Sequence, residues 1–222
     1  MGEAVYSDRA LTLIWFSADW HIKHNGILKH MPLRATVFGD VDIMSAHFVA
    51  ECNRVVKPND ELRIIGDWIW GTKWYGHYRA KLNVRKIHVI GGNHDSRSLH
   101  KHVSSYKEID YAKIDGVRFH LLHYPMLSWR GREKPKSIHL YGHSHTRSED
   151  FLNLHFSGRR AMDVGIDNAF KLLGEWRPFS LDEILMILKI DRCPTCNKID
   201  PRHDKTCPNF IVNYKDDSES TH

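Results

Sequence analysis

The stretch Lys86-Ile87-His88-Val89-Ile90-Gly91-Gly92-Asn93-His94-Asp95 constrains this chain more than any other. It reads as a buried strand, carried by Ile87, Val89 and Ile90, that runs into two glycines and then an amide, an imidazole and a carboxylate. Glycine permits the sharp turn that a side chain resists, and a rigid strand ending in a tight turn aims polar groups at one point. Alone, Gly-Asn-His-Asp is equally an ordinary polar turn. Four other stretches repeat the design, however. Residues 11–16 run towards Asp19 and His21, residues 62–65 into Gly66 and Asp67, residues 117–122 into His123, and residues 137–141 into Gly142, His143 and His145. Asp19 and His21 are two apart, as are His143 and His145, so each pair faces one side of an extended backbone. Five coincidences of this kind point to one shared site beyond the carboxyl ends of the strands of an α/β sheet.

The length of 222 residues allows one large domain, or a domain with a small appendage. We assign residues 1–190 to the main domain, 191–209 to a small metal-binding segment and 210–222 to a polar, disordered tail. An apolar share of 41% against 27% charged residues suits a globular chain and argues against general disorder. No apolar run approaches the about 20 residues that cross a bilayer, and the N-terminus lacks the basic and apolar regions of a secretory signal. Met1-Gly2 resembles the start of a myristoylation site, but Tyr6 stands where Ser or Thr is needed. A net charge of +5 allows steering of phosphate-bearing ligands without by itself indicating nucleic acid. The 17 histidines are the larger signal, since imidazole is a common metal ligand and proton carrier. Four cysteines, one alone and three near the end, do not form a disulfide framework. The expected setting is reducing and cytoplasmic, with no membrane partner.

Between the strands the pattern is less regular. Residues 24–42 lack periodicity and read as a long loop holding His24, Asn25, His30 and Arg34. Residues 46–56 fit an amphipathic helix ended by Pro58-Asn59-Asp60, with Cys52 on its apolar side as a small core residue. Trp68, Ile69, Trp70 and Trp74 either wall a pocket or, more commonly, belong to an aromatic core. Residues 77–84 read as a short helix, and the segment after Asp95 as mixed and polar. A basic loop carries Arg130, Arg132, Lys134 and Lys136. Residues 161–166 read as a further strand, and Ser180-Leu181-Asp182-Glu183 has the form of a capping box opening an apolar helix. The loops at 24–34 and 130–136 are expected to choose the substrate, with His24 and Arg34 as contacts.

Asp19-x-His21, Gly66-Asp67, Gly92-Asn93-His94-Asp95, His123 and Gly142-His143-x-His145 match, in order, the motifs of the calcineurin-like metallophosphoesterase superfamily. The resemblance covers roughly residues 10–190 and implies an α/β four-layer sandwich, two β-sheets flanked by helices, with two metals at one end. It implies that Asp19, His21, Asp67 and His145 hold one metal, that Asp67, Asn93, His123 and His143 hold the other, and that Asp67 bridges. His94 resembles the family's catalytic histidine beside the leaving group. Gly66-Asp67 is followed by Trp68-Ile69-Trp70-Gly71, unlike the protein serine/threonine phosphatase branch, and the chain looks more like small bacterial and phage phosphoesterases.

The chemistry agrees with these roles. Two cations about 3.5–4 Å apart clamp the attacking and leaving oxygens of an in-line displacement and turn water into hydroxide near neutral pH. Mixed oxygen and imidazole ligands suit Mn, Fe, Zn or Ni better than Mg or Ca, with Mn²⁺ the first expectation. A general acid such as His94 contributes about 10²–10⁴-fold. Asp95 either orients His94 or satisfies turn amides, the turn role being favoured. In the small segment, Cys193, Cys196, His203 and Cys207 make a complete tetrahedral set for a structural Zn²⁺, a small zinc-knuckle-like appendage; the alternative is a chance cluster. The functional expectation is a dinuclear phosphodiesterase acting on a nucleotide, cyclic nucleotide or nucleic-acid phosphoester. The alternatives are a phosphomonoesterase using the same site and an inactive nucleic-acid-binding module.

Overall fold

The computed structural model describes residues 12–156 and 158–190. Strand β1 (Ile14–Ser17) leads through two short helices, α1 (Ile27–His30) and α2 (Pro32–Phe38), to the longer α3 (Val41–Val55). Strand β2 (Glu61–Ile65) follows, then a 3-10 turn, α4 (Tyr75–Ala80) and β3 (Lys86–Ile90). After a second 3-10 turn come β4 (Ser105–Lys107), β5 (Asp110–Ile114) and β6 (Val117–Leu121). The remainder is β7 (Ser137–Tyr141), α5 (Glu149–His155), β8 (Ala161–Asp163), α6 (Ile166–Leu173), β9 (Phe179–Ser180) and α7 (Leu181–Ile187).

These elements make two sheets, ordered β4-β3-β2-β1-β9 and β5-β6-β7-β8. Strands β1 to β4 run parallel, with β9 antiparallel at one edge. In the second sheet β6, β7 and β8 are parallel and β5 is the antiparallel edge. Side chains alternate across each strand, and the alternation builds two cores. Trp15, Leu62, Ile64, Ile87 and Val89 pack on Met44, Phe48 and Cys52 of α3. Phe16, Ile65 and Ile90 point the other way, into Phe119, Leu121, Ile138 and Leu140 of the second sheet. Phe16 and Phe119 stack across the sheets at 5.6 Å between ring centroids. On the outer face of the second sheet Trp129, Tyr141, Leu152 and Ala161 form a smaller third cluster. The layers are therefore helix, sheet, sheet, and helix with loop.

Several elements differ from the sequence expectation. Residues 24–42 are not a long loop: Pro32 opens α2 at a position that needs no amide donor, and Asp40 caps α3 by accepting from Asp42 N and Ile43 N. That cap starts α3 five residues earlier than the apolar periodicity indicates. The mixed polar segment after Asp95 supplies β4 and β5, edge strands whose half-exposed residues blur the alternation. The capping box at Ser180 and Glu183 is present, and Cys52 is buried. The proposed zinc ligands Cys193, Cys196, His203 and Cys207 lie outside the described residues. No described helix is long and apolar enough to cross a membrane.

Asp60 joins β1 to the start of β2. Its buried carboxylate accepts from Leu13 N at 3.0 Å, Trp15 Nε1 at 3.0 Å and Lys57 N at 2.9 Å. Asp60→Ala leaves the buried Trp15 indole N–H without an acceptor, and we expect a stability loss of about 1–3 kcal/mol in urea denaturation. An unchanged midpoint would contradict that.

Candidate metal centre

Because β1, β2 and β3 are parallel, and β6 and β7 likewise, their carboxyl ends deliver side chains to one edge of the sandwich. The loops there are laced together by backbone hydrogen bonds: Asp19 N donates to Gly66 O at 3.0 Å and His21 N to Asp67 O at 2.9 Å. Asp19, His21, Asp67, His143 and His145 all have φ between 48° and 69°. Few non-glycine residues adopt this left-handed backbone, and it costs of order 1–3 kcal/mol per residue unless the surroundings enforce it.

The result is three overlapping groups able to hold cations: Asp19, His21 and His145; His21, Asp67 and His94; and Asp67, His123 and His143. Asp67 Oδ2 lies 3.5 Å from His21 Nε2 and 3.3 Å from His123 Nε2, between the two sides of the site. The His21 and His145 Nε2 atoms are 3.2 Å apart. That spacing fits two nitrogens on one cation at about 2.0–2.1 Å each. Asn93 Oδ1 lies 3.0 Å from His143 Nδ1. His123 gives the most direct test of fit. Its Nδ1 donates to Ile65 O at 2.9 Å, so Nε2 is the nitrogen left to face the site, and Nε2 is buried with no hydrogen-bond partner among the described residues. An imidazole fixed in this way by its other nitrogen is the usual form of a metal ligand.

The electrostatics follow from burial and these neighbours. Burial and His145 lower the His21 pKa to about 2, so the ring is neutral. Burial also lowers that of His123, but the Asp67 and Asp19 carboxylates outweigh it and raise the value to about 9. The field here thus favours positive charge at His123 Nε2. Burial raises the Asp67 carboxyl pKa, yet His123 and His21 reverse this and hold it below the ordinary range.

The glycines leave room for these groups. A Cβ on Gly92 would stand 2.2 Å from Asp67 Oδ1, and one on Gly142 would stand 2.5 Å from Asp19 Oδ2. Two residues named from the sequence take other parts. Arg34 is fully buried behind the ligands and is not positioned to meet a substrate. Its guanidinium binds Asp167 through Nε at 2.8 Å and Nη2 at 2.7 Å, and donates to Asp19 O at 2.6 Å. Asp95 does not orient His94: it accepts from Asp67 N at 2.8 Å, Gly92 N at 3.0 Å and Trp68 N at 3.1 Å. It ties two loops together, the turn role its position favoured.

Sequence reading missed Asp167 and Asp163. Asp167 Oδ2 receives His145 Nδ1 at 2.7 Å and so fixes that ring with Nε2 towards the site. Asp163 accepts from Ser144 Oγ, Thr146 N and Gly165 N and shapes the loop carrying His143 and His145. The available signal was an acidic residue at the end of the strand, Asp163, followed four positions later by Asp167 in the first turn of α6.

The cleft over the centre has a volume of about 190 Å³. His24, His30, Met31, His94 and Arg147 rim it. His94 Nε2 stands 4.0 Å from Asp67 Oδ2, and its backbone N donates to Asp67 Oδ1 at 2.9 Å. His24 stacks on Trp70 at 4.1 Å between centroids and 8° between planes, and Trp70 is 43% exposed. Trp68, by contrast, is core. The basic residues 130–136 do not line this cleft.

No protein-family model matches the chain, and no curated protein does. Among solved structures it resembles a protein of unknown function from Aquifex aeolicus, with a TM-score of 0.61 and 19% identity over 80% of this chain and 100% of that one. That likeness is one of fold. Partial overlaps occur with an archaeal phosphodiesterase (TM-score 0.37, 16% identity, 60% of this chain and 74% of that one). A predicted phosphoesterase from Streptococcus pneumoniae gives a TM-score of 0.28 at 18% identity, over 60% and 63% of the two chains. Neither overlap is close enough to bear on the site. What the chain itself shows is an α/β fold of two helix-flanked sheets with clustered side chains able to hold metal ions.

Removing a partner that orients a ligand histidine typically costs about 10–100-fold in metal affinity. We expect Asp167→Asn to weaken one of two bound Mn²⁺ ions by that factor in a calorimetric titration while the fold is kept. Equal weakening of both ions, or of neither, would contradict the assignment of Asp167 to the His145 side.

Proposed function

We propose that the protein is a dinuclear metal-dependent phosphodiesterase, acting on a small nucleotide, cyclic nucleotide or nucleic-acid phosphoester. The observation that carries this reading is the placement of Asp67 Oδ2 between His21 Nε2 and His123 Nε2, with His94 beside it. Asp19, His21, Asp67 and His145 would hold one cation, and Asp67, Asn93, His123 and His143 the other. The mixed donor set suits Mn²⁺ first, with Fe, Zn or Ni as replacements. When bound, such a pair supplies positive charge for the phosphoryl oxygens and an acidified water.

The chain's own residues do the rest. His94, 35% exposed on its side chain at the mouth of the site, would give a proton to the departing oxygen. Asp167 and Arg34 hold His145 from behind, and Asp95 keeps the loop of Asp67 against that of Asn93. Arg147 and His30 at the rim supply positive charge and a hydrogen-bonding ring for the phosphate arms. Trp70, beside both His24 and His94, offers an exposed indole where a leaving nucleoside would stand. This last contact favours a leaving group that bears an aromatic ring over one that does not.

With Mn²⁺ present, bis-p-nitrophenyl phosphate should turn over faster than p-nitrophenyl phosphate. Equal or faster turnover of the monoester would replace this reading with that of a phosphomonoesterase. His94→Ala should keep both metals and lose about 10²–10⁴-fold on esters with poor leaving groups. Loss of the metals in that variant would show His94 to be a ligand instead.

A further inference from the structure

Arg130, from the basic loop that the metal cleft leaves unused, borders a second cleft on the outer face of the second sheet. Tyr111 pairs with His120 and Lys113 with Arg118 across β5 and β6. Their neighbour Phe119 points inward to Phe16, so all four of these side chains point outward. Arg130 closes the cleft from the loop, giving a volume of about 510 Å³ with no acidic residue in the lining. The loop is pinned in place: Trp129 Nε1 donates to Ser137 Oγ at 3.1 Å, Met126 N lies 3.1 Å from His139 Nε2, and Arg160 Nη2 donates to Glu133 O at 3.0 Å.

Two further features point to a ligand. Tyr111 is 66% exposed, an unusual position for a large ring, and meets His120 edge-on at 5.2 Å. At that exposure the ring is open to a stacking partner from the cleft. His120 is 4% exposed, and its Nε2 lies 3.2 Å from Ser137 Oγ. Its Nδ1 is buried without a hydrogen-bond partner among the described residues. Burial and the Arg118 guanidinium lower the pKa of this ring.

We propose that this cleft binds a nucleotide unit of a single-stranded nucleic acid. The base stacks on Tyr111, the flanking phosphates meet Lys113, Arg118 and Arg130, and a polar group of the sugar or base meets His120. Three cations spread around one ring match phosphates on both sides of a nucleotide better than one terminal phosphate. Aromatic stacking beside a cationic groove is the general means of holding single strands. This inference rests on the outer face and not on the hydrolytic reading.

The test is fluorescence anisotropy of a labelled, phosphorothioate-linked oligothymidylate with the full-length protein as purified, over a salt series. Tyr111→Ala and Arg118→Glu should each weaken binding by about tenfold or more, with unchanged thermal melts. Only Arg118→Glu should reduce the salt dependence, by about one in the log–log slope. Three results would overturn the proposal: no binding, binding unchanged in both variants, or thymidine monophosphate competing as strongly as the strand. Because no turnover is read, its failure is separate from failure of the phosphodiesterase reading.

Discussion

A carboxylate oxygen with imidazole nitrogens 3.3 and 3.5 Å away on two sides is an expensive arrangement to fold. Burying polar groups without full hydrogen-bond partners costs several kcal/mol each, and here Asp19, His21, Asp67 and His123 are all buried within one small volume. Positive charge placed between Asp67 and the imidazoles would turn this cost into binding. The rest of the molecule can be understood as the frame that keeps those groups from moving apart.

That frame has two parts. The first is the inter-sheet core, which sets the carboxyl ends of β1 to β3 beside those of β6 and β7. The second is a set of loop braces. Asp95 spans two loops, Asp163 spans the loop of His143 and His145, and Arg34 with Asp167 supports His145 and Asp19. These braces hold five candidate ligands in a left-handed backbone that side chains ordinarily avoid. Strain of this kind at the tips of well-packed strands is characteristic of functional sites. It also explains why residues such as Gly92 and Gly142 lie directly against the carboxylates, where any side chain would displace them.

The strands and the metal-type residues were legible because each strand is a compact apolar run, and each ends in residue types that an ordinary core does not need. Asp19, His21, Asp67, Asn93, His123, His143 and His145 could be gathered from the sequence on that basis. Arg34 was misread because a buried arginine with a carboxylate partner 133 positions away looks, in sequence, like an exposed loop cation. Asp167 was missed for the complementary reason: its importance lies in one ring it orients, and nothing local announces that ring. The short helices α1 and α2 were missed because their apolar residues are too few to establish a period. The basic loop was expected to help choose the substrate, but its residues do not line the metal cleft, and only the packing of Trp129 shows which face it covers.

The central claim is that Asp67 joins two cation sites into one centre. A Mn²⁺ titration followed by electron paramagnetic resonance tests it most directly. The account predicts two bound ions and a spin-coupled spectrum, because both would share the Asp67 carboxylate. A single ion, or two ions with independent spectra, would contradict it.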